Sequence, residues 1–224
     1  MGDVQDLDHN RLVLPEGSKP MHIDFLLEEP STAVFLANVL PQLLSPKHTF
    51  KTVPFGGKKN MLDNLPARLR AYSKGLASVR IVVLVDQHNQ DCYELKRFLE
   101  KAARDAGLVS KSAAGTSGHF LVLNRIVVKQ LESWLLGDSQ ALRKAYPRVH
   151  IDPSRKKGLR DPDAISGDAA EALLRVLRGA GYHPRLGKLP KGDVADLIST
   201  HMRLEGNRSR SFQVFIDGLR EMIR

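Results

Sequence analysis

The segment at residues 79–86, VRIVVLVD, constrains the fold of this chain more than any other segment. Its uninterrupted run of β-branched and apolar side chains is typical of a strand buried on both faces. The run stops at Asp86, a polar turn follows, and residues 91–106 then carry apolar side chains at helical spacing. The sequence therefore predicts a buried strand that leads through a short polar turn into a helix.

The same alternation of strand-like and helix-like segments extends over residues 21–138. Strands are predicted at 21–28, 48–55, 79–86 and 118–128, and helices at 31–44, 60–74, 91–106 and 129–138. Ser31 is expected to cap the first helix, and Pro41 is expected to bend or shorten it. Strands and helices that alternate at these lengths predict an α/β fold with a parallel sheet of about four strands flanked by helices.

The chain divides into three parts by composition. Residues 1–20 are polar and predict a flexible leader, whereas residues 21–138 carry the alternating pattern of an α/β core. After Asp138 the strand patterns stop, and residues 139–224 predict a helical, basic C-terminal elaboration. No linker long enough to separate this part is present, so we expect the elaboration to pack on the core.

Several functional classes are excluded by what the sequence lacks. The single cysteine excludes an internal disulfide and a multi-cysteine zinc site. There is no P-loop, Gly-x-Gly-x-x-Gly or Gly-x-Ser-x-Gly motif. No apolar run is long enough to cross a bilayer, and the N-terminus has no secretory signal. We therefore expect a cytoplasmic protein without a membrane partner.

The formal net charge of +9 favours polyanionic partners such as DNA or RNA. An ordinary well-solvated basic surface is an equally good explanation of the charge alone. The candidate nucleic-acid contacts are Lys58, Lys59, Arg125, Arg155, Lys156, Lys157, Arg160, Lys188, Lys191, Arg208 and Arg210.

Acidic residues follow three of the predicted strands. Glu28 and Glu29 follow the first, Asp86 ends the third, and Glu132 comes shortly after the fourth. Ligands of open parallel sheets bind beyond the carboxyl ends of the strands, so Glu28 and Asp86 meet if strands one and three are neighbours. Carboxylates so placed predict a Mg²⁺ or Mn²⁺ site. Alternatively, these acids only cap the helices that follow the strands.

Two further residues after the third strand belong to the candidate metal set. His88 stands where a second aspartate would chelate Mg²⁺ better, but imidazole can ligate Mn²⁺ or act as a general base. The alternative explanation of His88 is a lone surface histidine in a loop. Asp91 is either a further carboxylate ligand or the N-cap of the next helix. The candidate catalytic residues are Glu28, Asp86 and His88.

Six segments occur in the order seen in the bacterial DUF4276 proteins, and the chain resembles that family from about Met21 to its end. The segments are LLEEPSTAVFLANVLPQLL, VPFGGKKNMLDNLPARLRAY, RIVVLVDQHNQDCYELKRFL, NRIVVKQLESWLLGD, RDPDAI and NRSRSFQVFIDGL. The resemblance implies a Toprim-like, Rossmann-like fold. It also implies a glutamate after the first strand, matched by Glu28, and an Asp-x-Asp pair after the third strand that together hold Mg²⁺. Asp86 matches the first aspartate, and His88 stands in place of the second.

The resemblance further implies a role in bacterial antiviral defence beside an ATPase of the SMC/ABC-like type. The leading interpretation is therefore a metal-dependent nuclease that works with such a partner. Lys129 and Gln130 stand where the family has acids, which favours as an alternative a catalytically weakened nucleic-acid-binding or regulatory subunit. A plain α/β interaction module is the third interpretation, and the oligomeric state stays open, with a homo-oligomer among the alternatives.

Overall fold

The computed structural model describes residues 20–75, 79–115 and 118–224, so nearly all of the predicted leader lies outside the described residues. Four parallel strands form one sheet in the order β2-β1-β3-β4. The strands are β1 His22–Leu27, β2 Thr49–Pro54, β3 Val79–Asp86 and β4 Val122–Val127. The predicted α/β fold with a parallel sheet is confirmed, and β1 and β3 are the two central neighbours.

Helices follow each strand and continue after the sheet ends. They are α1 Pro30–Val39, α2 Lys58–Ser73, α3 Cys92–Asp105, α4 Lys111–Ala114, α5 Leu131–Gly137, α6 Ser139–Ala145, α7 Ala169–Gly179, α8 Lys191–Ser199 and α9 Arg210–Met222. The first helix ends at Val39 and passes into a 3-10 turn at Leu40–Gln42, as Pro41 predicted. The four-residue helix α4 was not predicted, because one turn carries no periodic signal. None of the helices in the described ranges has the length and apolar content needed to cross a bilayer.

Alternate side chains of the central strands pack into two different core clusters. Phe25 and Val82 belong to the cluster formed with α1 and the C-terminal helices, whereas Leu26 and Val83 belong to the cluster formed with α2 and α3. This division follows from the two-residue period of a strand. Phe212 of α9 lies fully buried in the first cluster.

Gly137, the last residue of α5, allows a close approach of Asn207. A Cβ atom at Gly137 would lie 2.1 Å from Oδ1 of Asn207. Asn207 is held on both sides, because its Oδ1 accepts from the Ser209 N–H at 2.9 Å and its Nδ2 donates to the Trp134 carbonyl at 2.9 Å. We expect Gly137→Ala to lower the free energy of unfolding by roughly 1–3 kcal/mol, the usual cost of overpacking. Denaturant unfolding measures this.

The matched control is Gly179→Ala at the end of α7. A Cβ atom there would have no heavy atom within 4 Å outside its own neighbourhood. We expect a neutral effect or a gain of up to about 1 kcal/mol, since alanine restricts the unfolded chain. Equal effects of the two substitutions would show that the Asn207 side chain moves aside at little cost in free energy.

Candidate functional site

The site lies at the carboxyl edge of the sheet, where β1 and β3 end side by side. Leu27 pairs with Leu84 in register, so the chain leaves β1 next to the end of β3. Glu28 is the first residue after β1, and its Oε2 accepts a hydrogen bond from the backbone N–H of Asp86 at 3.1 Å. The structure therefore brings together the two acids on which the sequence interpretation rests.

Three of the acids are deeply buried. Glu28 is 4% exposed, Asp86 3% and Glu132, in the first turn of α5, 1%. Burial raises the pKa of Asp86 well above its usual range, and the nearby charges of Glu28, Glu132 and Glu29 raise it further, while Lys191 opposes them. The carboxyl group of Asp86 therefore holds its proton more tightly than a free aspartate does.

The two carboxylate oxygens of Glu132 differ in their surroundings. Its Oε1 lies 3.9 Å from Nζ of Lys191, so the carboxylate faces the cluster. Its buried Oε2 has no hydrogen-bond partner among the residues that the structure describes. Burial raises the pKa of Glu132, although Lys191 opposes this shift. An unpaired buried acceptor is costly, so Oε2 marks a place where a cation or a donor would stabilise the site.

Two lysines approach the acids from different helices. Lys191, the first residue of α8, donates to both carboxylate oxygens of Glu29 at 2.9 and 2.8 Å. Burial alone would lower the pKa of Lys191, but Glu132, Glu29 and Asp86 together raise it. Lys58, the first residue of α2, donates to the Gln87 carbonyl at 3.0 Å. Burial lowers the pKa of Lys58, against the opposing charges of Glu28 and Asp86.

His88 is held between Glu28 and Gln130. Its Nε2 lies 3.1 Å from Oε1 of Glu28, and its Nδ1 lies 2.8 Å from the amide nitrogen of Gln130. The amide orientation follows from Ala169, whose N–H donates to Oε1 of Gln130 at 3.0 Å. The amide NH₂ group therefore faces His88, so Nδ1 accepts and Nε2–H donates to Glu28. In this arrangement neither ring nitrogen is free to ligate a metal.

The sequence interpretation missed Gln130 and Asp168 as members of this network. The amide nitrogen of Gln130 also donates to Oδ2 of Asp168 at 3.2 Å, which connects the site to the start of α7. Gln130 had one available signal, because it stands where the resembled family has an acid. Asp168 had only the signal of a helix N-cap. It does cap α7, because its Oδ1 accepts a hydrogen bond from the N–H of Glu171.

The contacts of Asp91 are those of a helix N-cap, the alternative interpretation of this residue. Its exposed side chain caps α3, where Oδ1 accepts from the N–H groups of Tyr93 at 2.8 Å and Glu94 at 2.9 Å. These bonds satisfy two of the free donors at the helix start. A role of Asp91 as a metal ligand is still only a prediction.

The structure separates the predicted nucleic-acid contacts into four groups. Lys58 and Lys191 lie in the site, whereas Lys59 pairs with Asp63 on the surface of α2 at 2.5 Å. Two arginines bind backbone carbonyls, Arg125 that of Val214 at 3.2 Å and Arg208 that of Leu136 at 2.8 Å. The exposed remainder consists of Arg155, Lys156, Lys157, Arg160, Lys188 and Arg210.

Five helix N-termini surround the acids. Glu29, Gln130 and Asp168 are the residues that precede α1, α5 and α7, while Lys58 and Lys191 begin α2 and α8. The positive ends of helix dipoles and their free N–H groups favour negative charge. The arrangement thus supports both the carboxylates and an anionic ligand such as a phosphate.

The donor atoms suit a hard divalent cation, although the side chains are not arranged as a finished metal site. Over residues 20–75, 79–115 and 118–224, no group of three or more His, Cys, Asp or Glu side chains is placed so that it could hold a metal ion. Glu28 is turned toward His88, and Glu29 toward Lys191. The buried carboxylates, and Oε2 of Glu132 for which the described residues supply no partner, fit Mg²⁺ or Mn²⁺ chemically. Binding would therefore require small side-chain rotations.

The fold and the site together define an α/β protein with a buried acidic cluster at the carboxyl edge of a parallel sheet, flanked by lysines. The chain belongs to the family described as "Domain of unknown function (DUF4276)", whose family model matches residues 27–220. The family resemblance seen in the sequence is confirmed by this match. Comparison with curated proteins and with solved structures gives no match.

Proposed function

We propose that this protein is a Toprim-like, metal-dependent nuclease that hydrolyses phosphodiester bonds in DNA or RNA. Its biological setting in this proposal is bacterial antiviral defence together with an SMC/ABC-like ATPase. The observation that carries the proposal is the buried cluster of Glu28, Asp86 and Glu132, with Oε2 of Glu132 lacking a partner in the described part of the chain. Buried carboxylates in excess of their counter-charges are typical of sites that hold a divalent cation.

Each residue has a defined task in this proposal. Asp86, Glu28 and Glu132 would hold Mg²⁺ or Mn²⁺, and His88 keeps the Glu28 carboxylate in place. When bound, the ion would activate a water molecule and offset the charge that develops on the phosphate. Lys58 and the surrounding helix N-termini would bind the phosphates next to the scissile bond.

Binding without cleavage is the second candidate function, and two observations favour it. Both ring nitrogens of His88 are engaged, so the position of the second aspartate offers no ligand. In addition, four basic side chains outnumber three acids in a cleft of about 450 Å³ next to α6, which is lined by Arg143, Lys144, Arg203 and Arg208 together with Asp138, Asp152 and Glu205. A chain of this kind would act as a nucleic-acid-binding or regulatory subunit of the ATPase complex.

The test is a cleavage assay on plasmid, single-stranded DNA and tRNA in Mg²⁺ or Mn²⁺, with and without an SMC/ABC-like ATPase as the proposed partner. We expect Glu28→Gln and Asp86→Asn each to reduce cleavage by roughly 10²–10³-fold, because a lost metal ligand removes several kcal/mol of transition-state stabilisation. The control is Glu94→Gln, which replaces an exposed acid on α3.

The outcomes separate the candidate functions. Cleavage that survives both site substitutions would contradict the proposed site. Tight, salt-dependent binding without cleavage would support the subunit, since counterion release makes phosphate contacts sensitive to salt. If the protein neither binds nor cleaves nucleic acid, the remaining candidate is an α/β interaction module whose acids only cap helices.

A further inference from the structure

The side chains of the site do not balance in charge. Glu28, Glu29, Asp86 and Glu132 carry four negative charges when ionised, while Lys58 and Lys191 carry two positive charges. The fifth nearby acid, Asp168, is engaged as the N-cap of α7 and as the acceptor of Gln130. The difference equals the charge of one divalent cation.

Lys191 bridges two of these carboxylates. Its Nζ lies 2.9 and 2.8 Å from the two oxygens of Glu29 and 3.9 Å from Oε1 of Glu132. A positive charge that joins two carboxylates at the edge of a phosphoryl-transfer site is what the second ion of a two-metal site supplies. Here a side chain supplies that charge.

The position of Lys191 is fixed by packing. Its helix α8 packs along α1, and Nδ2 of Asn38 donates to Oδ1 of Asp196 at 2.9 Å and to Oγ of Ser199 at 2.9 Å. At the far end, Nε2 of Gln42 donates to the Met202 carbonyl at 3.0 Å. The ammonium group therefore stands at the end of an anchored helix, and it keeps its place better than a side chain on a free loop would.

The acids that Lys191 does not contact closely remain available to bind a cation. Asp86 is buried next to Glu28, and Oε2 of Glu132 is without a partner among the described residues, although Glu132 is only 1% exposed as a residue. We infer that the site takes a single divalent cation, Mg²⁺ or Mn²⁺, and that the ammonium group of Lys191 stands in the place of a second one. This inference rests on the proposed function of the same site.

The experiment is a titration of the full chain with Mn²⁺, in which the free ion is measured by its electron paramagnetic resonance signal. We expect one bound Mn²⁺ for each wild-type chain and two for Lys191→Met, because methionine keeps the length of the side chain without its charge. Lys191→Arg keeps the charge and is expected to bind one. Lys188→Met, which removes an exposed lysine from the preceding loop, is the matched control and should also bind one.

Each result decides the question. Two ions in the wild-type chain, or one ion in a folded Lys191→Met variant, would overturn the inference and leave the proposed metal site standing. No Mn²⁺ binding by the wild type, or binding that Asp86→Asn leaves unchanged, would instead overturn the proposed function itself. If circular dichroism shows that Lys191→Met does not fold, Lys191→Gln replaces it, since glutamine can still donate to Glu29.

Discussion

Asp86→Asn is expected to make the protein more stable than the wild type at neutral pH without divalent cations, and less stable than the wild type when Mn²⁺ is present. The first effect arises because burial and the charges of Glu28, Glu132 and Glu29 disfavour the ionised form of Asp86. Asparagine removes that charge from a side chain that is 3% exposed. The gain should be roughly 1–2 kcal/mol, the size reached by single substitutions that remove an unfavourable feature.

The pH dependence has a definite sign. Folding raises the pKa of Asp86, so the folded chain binds its proton more tightly than the unfolded chain does. The stability that this group contributes is fully present below the unfolded value, about 3.9 for an aspartate, and is lost as the pH rises through the folded pKa. The difference between Asp86→Asn and the wild type should therefore be small near pH 4 and grow toward neutral pH.

The effect of Mn²⁺ on stability reverses the order of the two proteins. A ligand that binds only the folded state at about 100 times its Kd stabilises it by about 2.7 kcal/mol. The wild type should gain this stabilisation. Asp86→Asn should gain much less, because it lacks the carboxylate that binds the ion. Thermal unfolding between pH 4 and pH 8, in EDTA and in Mn²⁺, measures both effects.

The matched control for Mn²⁺ is Glu94→Gln. This variant also replaces an acid that follows β3, but Glu94 is exposed in the first turn of α3 and lies outside the candidate metal set. It should keep the response to Mn²⁺. An equal response of Asp86→Asn and the wild type would show that Asp86 is no part of a cation site.

The position of the central acids could be predicted from the sequence because it depends on local signals. Glu28 and Asp86 each end or follow a strongly apolar strand, and the ends of neighbouring parallel strands meet at one edge. Only the order of the strands was then needed to place the two acids side by side, and the structure shows that β1 lies next to β3. The fold class was equally accessible, because strand and helix periodicities alternate clearly.

The partners of these acids could not be predicted in the same way. Lys191 was singled out as a contact for nucleic acid, but its bond to Glu29 depends on how α8 packs against α1. The bond between Gln130 and Asp168 likewise depends on the docking of α7. Contacts between helices far apart in the sequence follow from side-chain packing, which no short pattern encodes.

The largest effect on stability is expected for Trp134→Ala. Trp134 is fully buried, its ring stacks on Phe215 with centroids 5.2 Å apart, and it contacts Phe212 edge to face at 5.3 Å. Its Nε1–H donates to Oγ of Ser211 at 2.7 Å, which connects α5 to α9. Removing the indole leaves a large cavity, so unfolding by denaturant should show a loss of roughly 3–5 kcal/mol.

Trp134→Phe distinguishes the packing of the ring from its hydrogen bond. Phenylalanine keeps an aromatic ring against Phe215 but removes the indole N–H, so that Oγ of Ser211 keeps only the Val128 N–H as a backbone donor, and we expect a smaller loss of roughly 1–3 kcal/mol. Because α5 also carries Glu132, a loosened α5 should weaken Mn²⁺ binding in Trp134→Ala more than in Trp134→Phe. Equal Mn²⁺ affinity in both variants would show that Glu132 keeps its place without the aromatic contacts between α5 and α9.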